Sequence, residues 1–338
     1  MWTWSDGQLD DLGRFLAGHG LCGPAVTATA IGDGHSNLTF LVSDGNSQVV
    51  VRRPPPPPMP PGAHDVLREA RLLAALADTE VPAPRVLATA AVGELLDVPL
   101  FVMDYVEGAV ITEATPASPH DQGLRRCIGE SLVDTLAALH AVPWREVGLD
   151  GFGRPEGFNT RQLQRMRSLV AIDGDVPKAF STLDDWLCAH VPAESATSIV
   201  HNDFRIGNTI VDLQTGCVAA VLDWELATIG DPLADLGYLL TSYPAPGEPL
   251  VPTAAMGAAV LEPGYPSRAE LLDRYAERSG ADVSNVNWYA TLAMFKLAAL
   301  YEYSRRRFEA GVGDPYYADA ELVESFLDAG ARLAGALN

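Results

Sequence analysis

The spacing of apolar residues divides the chain into a β-rich beginning and a helical remainder. Leu9, Leu12 and Leu16 fall on one helical face, with Asp6 as the expected cap. Residues 26–31 then alternate as a half-buried strand, 38–42 form a second, and 49–51 run into Arg52 as a third. Asp44-Gly45 separates the last two and signals a hairpin. Between the first two lies a turn reading GDGHSN, residues 32–37. Such a turn folds its backbone N–H groups over phosphates in some proteins and is a plain hairpin turn in most.

Residues 54–61, PPPPPMPP, have to be extended, because proline neither continues a helix nor donates to a sheet. A rigid surface loop is the expected form, with a docking site for a proline-reading partner as the alternative. Over 63–78, Val66, Ala70, Leu73 and Ala77 mark a helix face with Glu69 at its edge. A carboxylate in that place is either exposed or in need of a partner. Residues 85–90 and 100–103 complete a set of five strands. From about Gly108 the period becomes helical, with Ile128, Leu132, Thr135 and Leu139 on one face and Trp288, Leu292, Phe295 and Ala299 on another. Short strands are expected at 198–200, 209–212 and 219–222. The pattern reads as an α+β chain, with a small five-stranded lobe ending near Tyr105 and a larger, mainly helical part after it.

Composition excludes several classes. With 338 residues, 48% of them hydrophobic and 20% charged, the chain has ordinary globular composition and enough length to bury a sizeable core. A formal charge of −21 repels polyanions, so neither nucleic acid nor an anionic membrane is an expected partner. Charged residues interrupt every apolar stretch before it reaches membrane-spanning length. The opening MWTWSDGQLDD lacks the basic region and apolar core of a signal peptide, which makes a cytoplasmic location the expectation. Cys22, Cys127, Cys188 and Cys217 are too scattered for a zinc site or a disulfide framework and are expected as buried, reduced thiols.

The candidate chemistry lies in residues 201–223. His201-Asn202-Asp203 follows the apolar Ile199-Val200, Asn208 precedes Ile210-Val211, and Asp223 follows Val221-Leu222. Gln214-Thr215-Gly216 separates the last two segments as a turn would, so a hairpin is expected to bring Asn208 and Asp223 to one end, beside Asp203. Two carboxylates and a carboxamide suit Mg²⁺, which takes few protein oxygens and shares the rest with phosphates and water. A carboxylate beyond the metal pair can deprotonate a hydroxyl nucleophile. His-x-Asp-x-x-x-x-Asn, a strand and then Asp is the order of a kinase catalytic loop and its metal-binding aspartate. The competing account makes Asp203 a turn residue and Asp223 a strand-end cap.

These segments, together with VVVRRPP, AHDVLREARLLAAL, VPAPRVL, PLFVMDYVEG, LAALHAV, VLDWELATIGDPLADLGYLL and FKLAALYEYSRRR, resemble the aminoglycoside phosphotransferase-like family through almost the whole chain. The resemblance is closest to the subgroup related to the kinase-like domain fused to some acyl-CoA dehydrogenases. It implies a bilobal protein-kinase-like fold, with a nucleotide-binding lobe over 1–105, a hinge near 103–106 and a catalytic and substrate-binding helical lobe over 106–338. It implies Asp203 as catalytic base, Asn208 and Asp223 as Mg²⁺ ligands, and ATP or GTP as phosphate donor. Arg52 would touch the α/β-phosphates with Glu69 as its helix partner, and Arg53 is the rival because either strand register is possible. Met103, Asp104, Tyr105 and Val106 would bind adenine through their backbone, and Gly34, Ser36 and Asn37 would lie over the phosphates. His201, Asp231 and Asp235 would be structural supports, Asp231 as a helix cap before Pro232, and His140 a core or interlobe histidine.

Two departures stand out. Asn202 occupies a position where the family usually has glycine, and Arg rather than Lys stands on the third strand. Family members act on aminoglycosides, macrolides, choline, homoserine and sugars, and the fused relatives are associated with hydroxyacyl substrates. The resemblance therefore implies a small hydroxylated acceptor without naming it. The alternatives are a catalytically silent nucleotide-binding module and a metal-dependent hydrolase.

Overall fold

The computed structural model of the chain describes residues 3–32, 37–55, 65–116 and 121–335. The chain divides into two compact units, Met1–Glu107 with Ala219–Glu225, and Gly108–Val218 with Leu226–Asn338. The segment 219–225 thus groups with the amino-terminal residues although the sequence around it belongs to the second unit.

The first unit opens with α1 (Asp6–Gly18). Its cap is Ser5 rather than Asp6: the Gln8 N–H donates to Ser5 Oγ, and the Ser5 N–H donates to Gln8 Oε1 at 3.0 Å. This reciprocal pair satisfies two helix-end groups, so a serine one residue earlier takes the place of the acid. Strands β1 (Thr27–Ala30), β2 (Leu38–Ser43) and β3 (Gln48–Arg53) follow. Then come α2 (Val66–Leu76), β4 (Val86–Ala90) and β5 (Leu100–Asp104). The five strands form one antiparallel sheet in the order β1-β2-β3-β5-β4. At the β2–β3 turn, Asp44 Oδ1 accepts the Asn46 and Ser47 N–H groups at 2.8 and 2.7 Å. Backbone donors of this kind hold the Asp44 carboxyl down at about 2, and Gly45 supplies the positive φ of 91°.

Val49 and Val51 lie in the core with Phe40, Val42, Leu12 and Leu16. Alternation then places Arg53 on their side of the sheet and Arg52 on the other. Helix α2 packs on β4 and β5, capped by Asp65, whose Oδ1 accepts the Arg68 N–H at 3.0 Å. Most of the proline run lies outside the described residues.

The second unit contains β6 (Ala109–Val110), α3 (Gln122–Ala141), α4 (Phe158–Val170), α5 (Lys178–Ala189), β7 (Ser198–Val200) and β8 (Thr209–Val211). Beyond β8, β9 (Val218–Val221) carries the chain into the first unit, and it returns to β10 (Thr228–Gly230). The rest is helical: α6 (Leu233–Ser242), α7 (Pro252–Ala255), α8 (Arg268–Ser279), α9 (Val286–Glu309) and α10 (Ala320–Leu333). β6 pairs with β8, and β7 with β10, a strand too short for the apolar pattern to announce. α9 is the central helix, packed against α4, α5, α6 and α10, and its apolar residues run around most of its circumference as burial on several sides requires.

Only Cys22 is buried. Cys127, Cys188 and Cys217 are exposed, Cys127 lying beside rather than within the apolar stripe of α3 and Cys217 just after a turn. All four are free thiols. No helix among the described residues is long and apolar enough to cross a membrane.

A close approach of α6 to α9 is set by a missing side chain. A Cβ on Gly237 of α6 would stand 2.6 Å from the Tyr289 carbonyl carbon and 2.7 Å from the Ala290 nitrogen of α9. Backbone cannot yield as a flexible side chain does. Gly237→Ala is therefore expected to destabilise the chain by about 1–3 kcal/mol in chemical denaturation, whereas Gly7→Ala, with open space around it, is expected to leave the midpoint in place or raise it slightly.

Candidate active site

The sequence-predicted residues gather in two groups, one in each unit. In the second unit the loop after β7 carries His201, Asn202 and Asp203. Asp235, in the first turn of α6 and fully buried, accepts the His201 N–H at Oδ2 and the Asn202 N–H at Oδ1, both at 2.6 Å. His140 Nε2 lies 3.4 Å from the same carboxylate, and its Nδ1 is 2.7 Å from the Tyr275 hydroxyl. His201 is fully buried, and its Nδ1 receives the Asp203 N–H at 3.2 Å.

Asn202 adopts φ 67°, the left-handed conformation that glycine takes freely and that costs other residues roughly 1–2 kcal/mol. The backbone shape of a glycine is thus kept with a side chain added. That side chain offsets the cost, since Asn202 Nδ2 donates to the Leu226 carbonyl at 2.9 Å.

Asp203 is half-buried. Asn208, on the one-turn 3₁₀ helix before β8, donates from Nδ2 to Asp203 Oδ2 at 2.7 Å and to the Asp203 carbonyl at 2.9 Å. The other oxygen, Oδ1, is 3.9 Å from Arg205 Nε, beyond hydrogen-bond range. One oxygen is therefore anchored by Asn208, and the carboxylate also neighbours the buried Tyr238 phenol. Tyr238, one turn beyond Asp235 on α6, has its phenol raised well above the ordinary range by burial and by the neighbouring Asp203 carboxylate.

Tyr238 also lines a cleft with Phe158, Met166, Asn202, Leu292 and Lys296. Among the described residues no carboxylate lines it, and Lys296 is its one charged residue. The Lys296 ammonium donates to the Asn202 carbonyl at 3.0 Å and lies 5.7 Å from the centre of the Tyr238 ring. Burial lowers its pKa, against the pull of Asp203 and Asp235.

Asp231 proves to be more than a cap. It does accept the Leu233 N–H at 3.1 Å, but it also takes the Ser195 hydroxyl at 2.6 Å and the Tyr289 hydroxyl at 2.7 Å, which ties α6 to α9.

In the first unit Arg52 is the centre. Its Nε lies 2.9 Å from Glu69 Oε2, and its Nη2 lies 2.6 Å from Asp223 Oδ1 and 3.9 Å from Glu225 Oε2. One guanidinium thus faces three carboxylates. Glu69, only 3% exposed, is raised to about 7 by its burial, against the opposing pull of Arg52 and with Asp223 and Glu225 adding to the rise. Asp223 is the outermost of the three, its side chain 39% exposed, and has φ 65°. Buried Asn37 donates to Glu225 Oε2 at 3.0 Å. Arg53 instead lies over the Trp4 and Phe40 rings, 5.2 and 5.8 Å from their centres, where burial lowers it to about 10.

Met103 and Asp104 end β5 and Tyr105 and Val106 follow it, with Met103 buried, Tyr105 exposed and Asp104 Oδ1 accepting the Arg85 N–H at 2.8 Å. Gly34 and Ser36 lie outside the described residues. Among the described residues no cluster of three or more His, Cys, Asp or Glu side chains is arranged to hold a metal ion. The oxygens on offer are the exposed carboxylate of Asp223 and the carboxamide oxygen of Asn208, whose nitrogen is already committed to Asp203. Both are hard donors of the kind Mg²⁺ accepts.

Sequence reasoning missed Glu225, Arg205, Tyr238 and Lys296. Lys296 did leave a signal: of 23 basic residues only Lys178 and Lys296 are lysines, and Lys296 interrupts an apolar helix face.

The fold is that of the kinase-like phosphotransferases. The sequence model of the phosphotransferase enzyme family, APH, matches residues 27–271, and the chain belongs to that family. Within it, the chain is 31% identical over 334 residues to acyl-CoA dehydrogenase family member 11 of Rattus norvegicus, covering 96% of this chain and 42% of that protein. It therefore spans less than half the length of that relative. A Ralstonia eutropha protein classed provisionally as an aminoglycoside phosphotransferase superposes with a TM-score of 0.80 and 27% identity, over 97% of this chain and 98% of the other. Aminoglycoside phosphotransferase APH(4)-Ia, solved with AMP-PNP and hygromycin B, shares the fold at a TM-score of 0.63 and 16% identity, over 97% and 99% of the two chains.

The raised Glu69 gives a pH signature. Its native pKa lies above its unfolded value, so its stabilisation is complete below about pH 4.5 and is lost as the pH rises through about 7. In metal-free buffer, thermal midpoints of Glu69→Gln are expected to fall by a few degrees less than those of the wild type between about pH 6 and about pH 8.

Proposed function

We propose that the chain transfers the terminal phosphoryl group of a Mg-bound nucleoside triphosphate, ATP or GTP, to a hydroxyl of a small molecule. The observation that carries this is Asp203, whose Oδ2 is fixed by Asn208 while Oδ1 makes no hydrogen bond to Arg205. A base for a hydroxyl proton needs this combination of fixed direction and a free lone pair. As the acceptor oxygen bonds to the terminal phosphorus, its proton passes to Asp203 Oδ1. The bond to the bridging oxygen breaks, and the nucleoside diphosphate leaves with that electron pair.

Asn208 and Asp223 are the proposed ligands of Mg²⁺, which when bound neutralises phosphate charge. The first unit supports the reading from a separate direction. One guanidinium faces three carboxylates there, an acidic setting that would favour a divalent cation. Arg52 itself is the proposed contact to the α/β-phosphates, with Glu69 orienting it. Residues 103–106 are proposed to bind the base, and Asn37 with Gly34 and Ser36 to cover the phosphates.

The cleft beside Asp203 supports an acceptor with an apolar body. Phe158, Met166 and Leu292 offer no partner to the several ammonium groups of an aminoglycoside, and Lys296 repels them. The acidic net charge of the chain therefore carries no preference for a cationic antibiotic.

Thermal-shift measurements test the reading. Mg-ATP or Mg-GTP is expected to raise the midpoint, and metal alone to raise it far less. Stabilisation by metal without nucleotide would point to a hydrolase, and nucleotide binding without ADP release over a broad set of alcohols to a silent binding module. Asp203→Ala is expected to keep nucleotide binding and lose transfer by about 100-fold or more. Asp223→Ala is expected to weaken Mg-nucleotide binding itself. Unchanged transfer in Asp203→Ala would remove Asp203 from the role of base.

A further inference from the structure

Lys296 is an unusual choice for its place. The chain uses arginine for 21 of its 23 basic residues, yet an ammonium stands in a wall that includes Phe158, Met166, Tyr238 and Leu292, with Gln162 and Asn202 as its amide side chains. It lies on α9 in register with Tyr289, Leu292 and Ala293, at spacings of seven, four and three residues, so one helix face delivers all four to the cleft. A charge in such surroundings is costly unless it is used. Among the described residues no carboxylate comes within ion-pair distance of it, and its hydrogen bond goes to a backbone carbonyl, that of Asn202.

That carbonyl belongs to the peptide unit joining Asn202 to Asp203. A peptide unit is planar, so fixing its two polar ends fixes its orientation. The oxygen end accepts from Lys296 Nζ at 3.0 Å, and the nitrogen end donates to His201 Nδ1 at 3.2 Å. The preceding peptide N–H is held by Asp235 Oδ1, and the Asn202 side chain by the Leu226 carbonyl. The left-handed backbone at Asn202 would otherwise tend to relax, because an asparagine is less at ease there than a glycine. Lys296 is the one member of this set that comes from α9. The geometry points to Lys296 as a positioning residue: it clamps the Asn202–Asp203 peptide from outside the loop and thereby sets the direction in which Asp203 presents its carboxylate. Its catalytic consequence rests on the reading of Asp203 as base, but the clamp itself does not.

An ammonium suits this task better than a guanidinium. A compact head on a flexible stem reaches a single carbonyl, whereas a planar fork asks for two acceptors side by side. Methionine matches the length of lysine and keeps the apolar packing, so Lys296→Met removes the clamp with the least disturbance of the wall.

Two measurements on the full chain test the clamp. In hydrogen exchange followed by mass spectrometry, Lys296→Met is expected to speed exchange of the peptide covering 201–208 by about tenfold or more, with α3 and α8 unchanged. Unchanged exchange in that peptide would overturn the inference, and so would a uniform rise through the second unit, which would make Lys296 a packing residue only. The second measurement is slow hydrolysis of Mg-ATP, with water as acceptor. Lys296→Met is expected to lower kcat about tenfold or more while KM for Mg-ATP stays within about twofold. Lys296→Cys alkylated with bromoethylamine, which restores an ammonium at the same reach, is expected to recover much of the rate, with wild type treated identically as the control. A kcat that stays at the wild-type value in Lys296→Met would also overturn the inference. Should wild type show no turnover with water or any alcohol, the proposed function fails, and the exchange pattern alone decides the clamp.

Discussion

The buried carboxylate of Asp235 is the constraint on which the 201–203 loop of the second unit depends. It takes two backbone N–H groups of the loop at 2.6 Å, one on each oxygen, and so dictates where β7 ends and how the chain turns. A fully buried acid is tolerated only because its lone pairs are filled and because it sits in the first turn of a helix, where the peptide dipoles favour negative charge. α6 can bring it there because Gly237 lets α6 approach the backbone of α9 closely. Asp231 then ties the same two helices through Tyr289. Helix packing is thereby converted into the position of one loop.

The replacement of glycine by Asn202 becomes intelligible in this frame. The loop needs a left-handed residue between His201 and Asp203, and glycine would supply it without strain. Asparagine is among the residues that tolerate this conformation best, and here its amide gains a bond to Leu226 that glycine could not make. What the substitution costs in backbone energy it offsets in rigidity. A loop that must hold a carboxylate in one direction benefits from that exchange.

The first unit is organised on a different principle, deliberate electrostatic imbalance. Arg52 is surrounded by Glu69, Asp223 and Glu225, and the deepest of them, Glu69, has its protonation equilibrium near neutrality. A set chosen for stability alone would balance its charges or replace them with apolar side chains. The result is an acidic corner around a single guanidinium, in a chain that belongs to a phosphotransferase family.

The sequence by itself determined the α+β class, all five strands of the first sheet, the principal helices and the loop positions at which costly polar residues gather. Those features are written in local terms: period two, period 3.6, turn residues, and polar groups at strand ends too costly to be incidental. Asp203 and Asn208 were legible as a pair because only four residues separate them. Other features depended on tertiary structure. Val49 and Val51 with Val50 between them are apolar on both faces, so period alone left Arg52 and Arg53 interchangeable; the core around Phe40 and Trp4 took Arg53, and Glu69 took Arg52. The serine cap of α1, the exposure of three cysteines, the grouping of 219–225 with the amino-terminal residues and the arrival of Lys296 at Asn202 are likewise invisible in the chain. Each depends on which groups meet across tens or hundreds of residues. Local pattern records that a polar group requires a partner, and only packing decides which partner it receives.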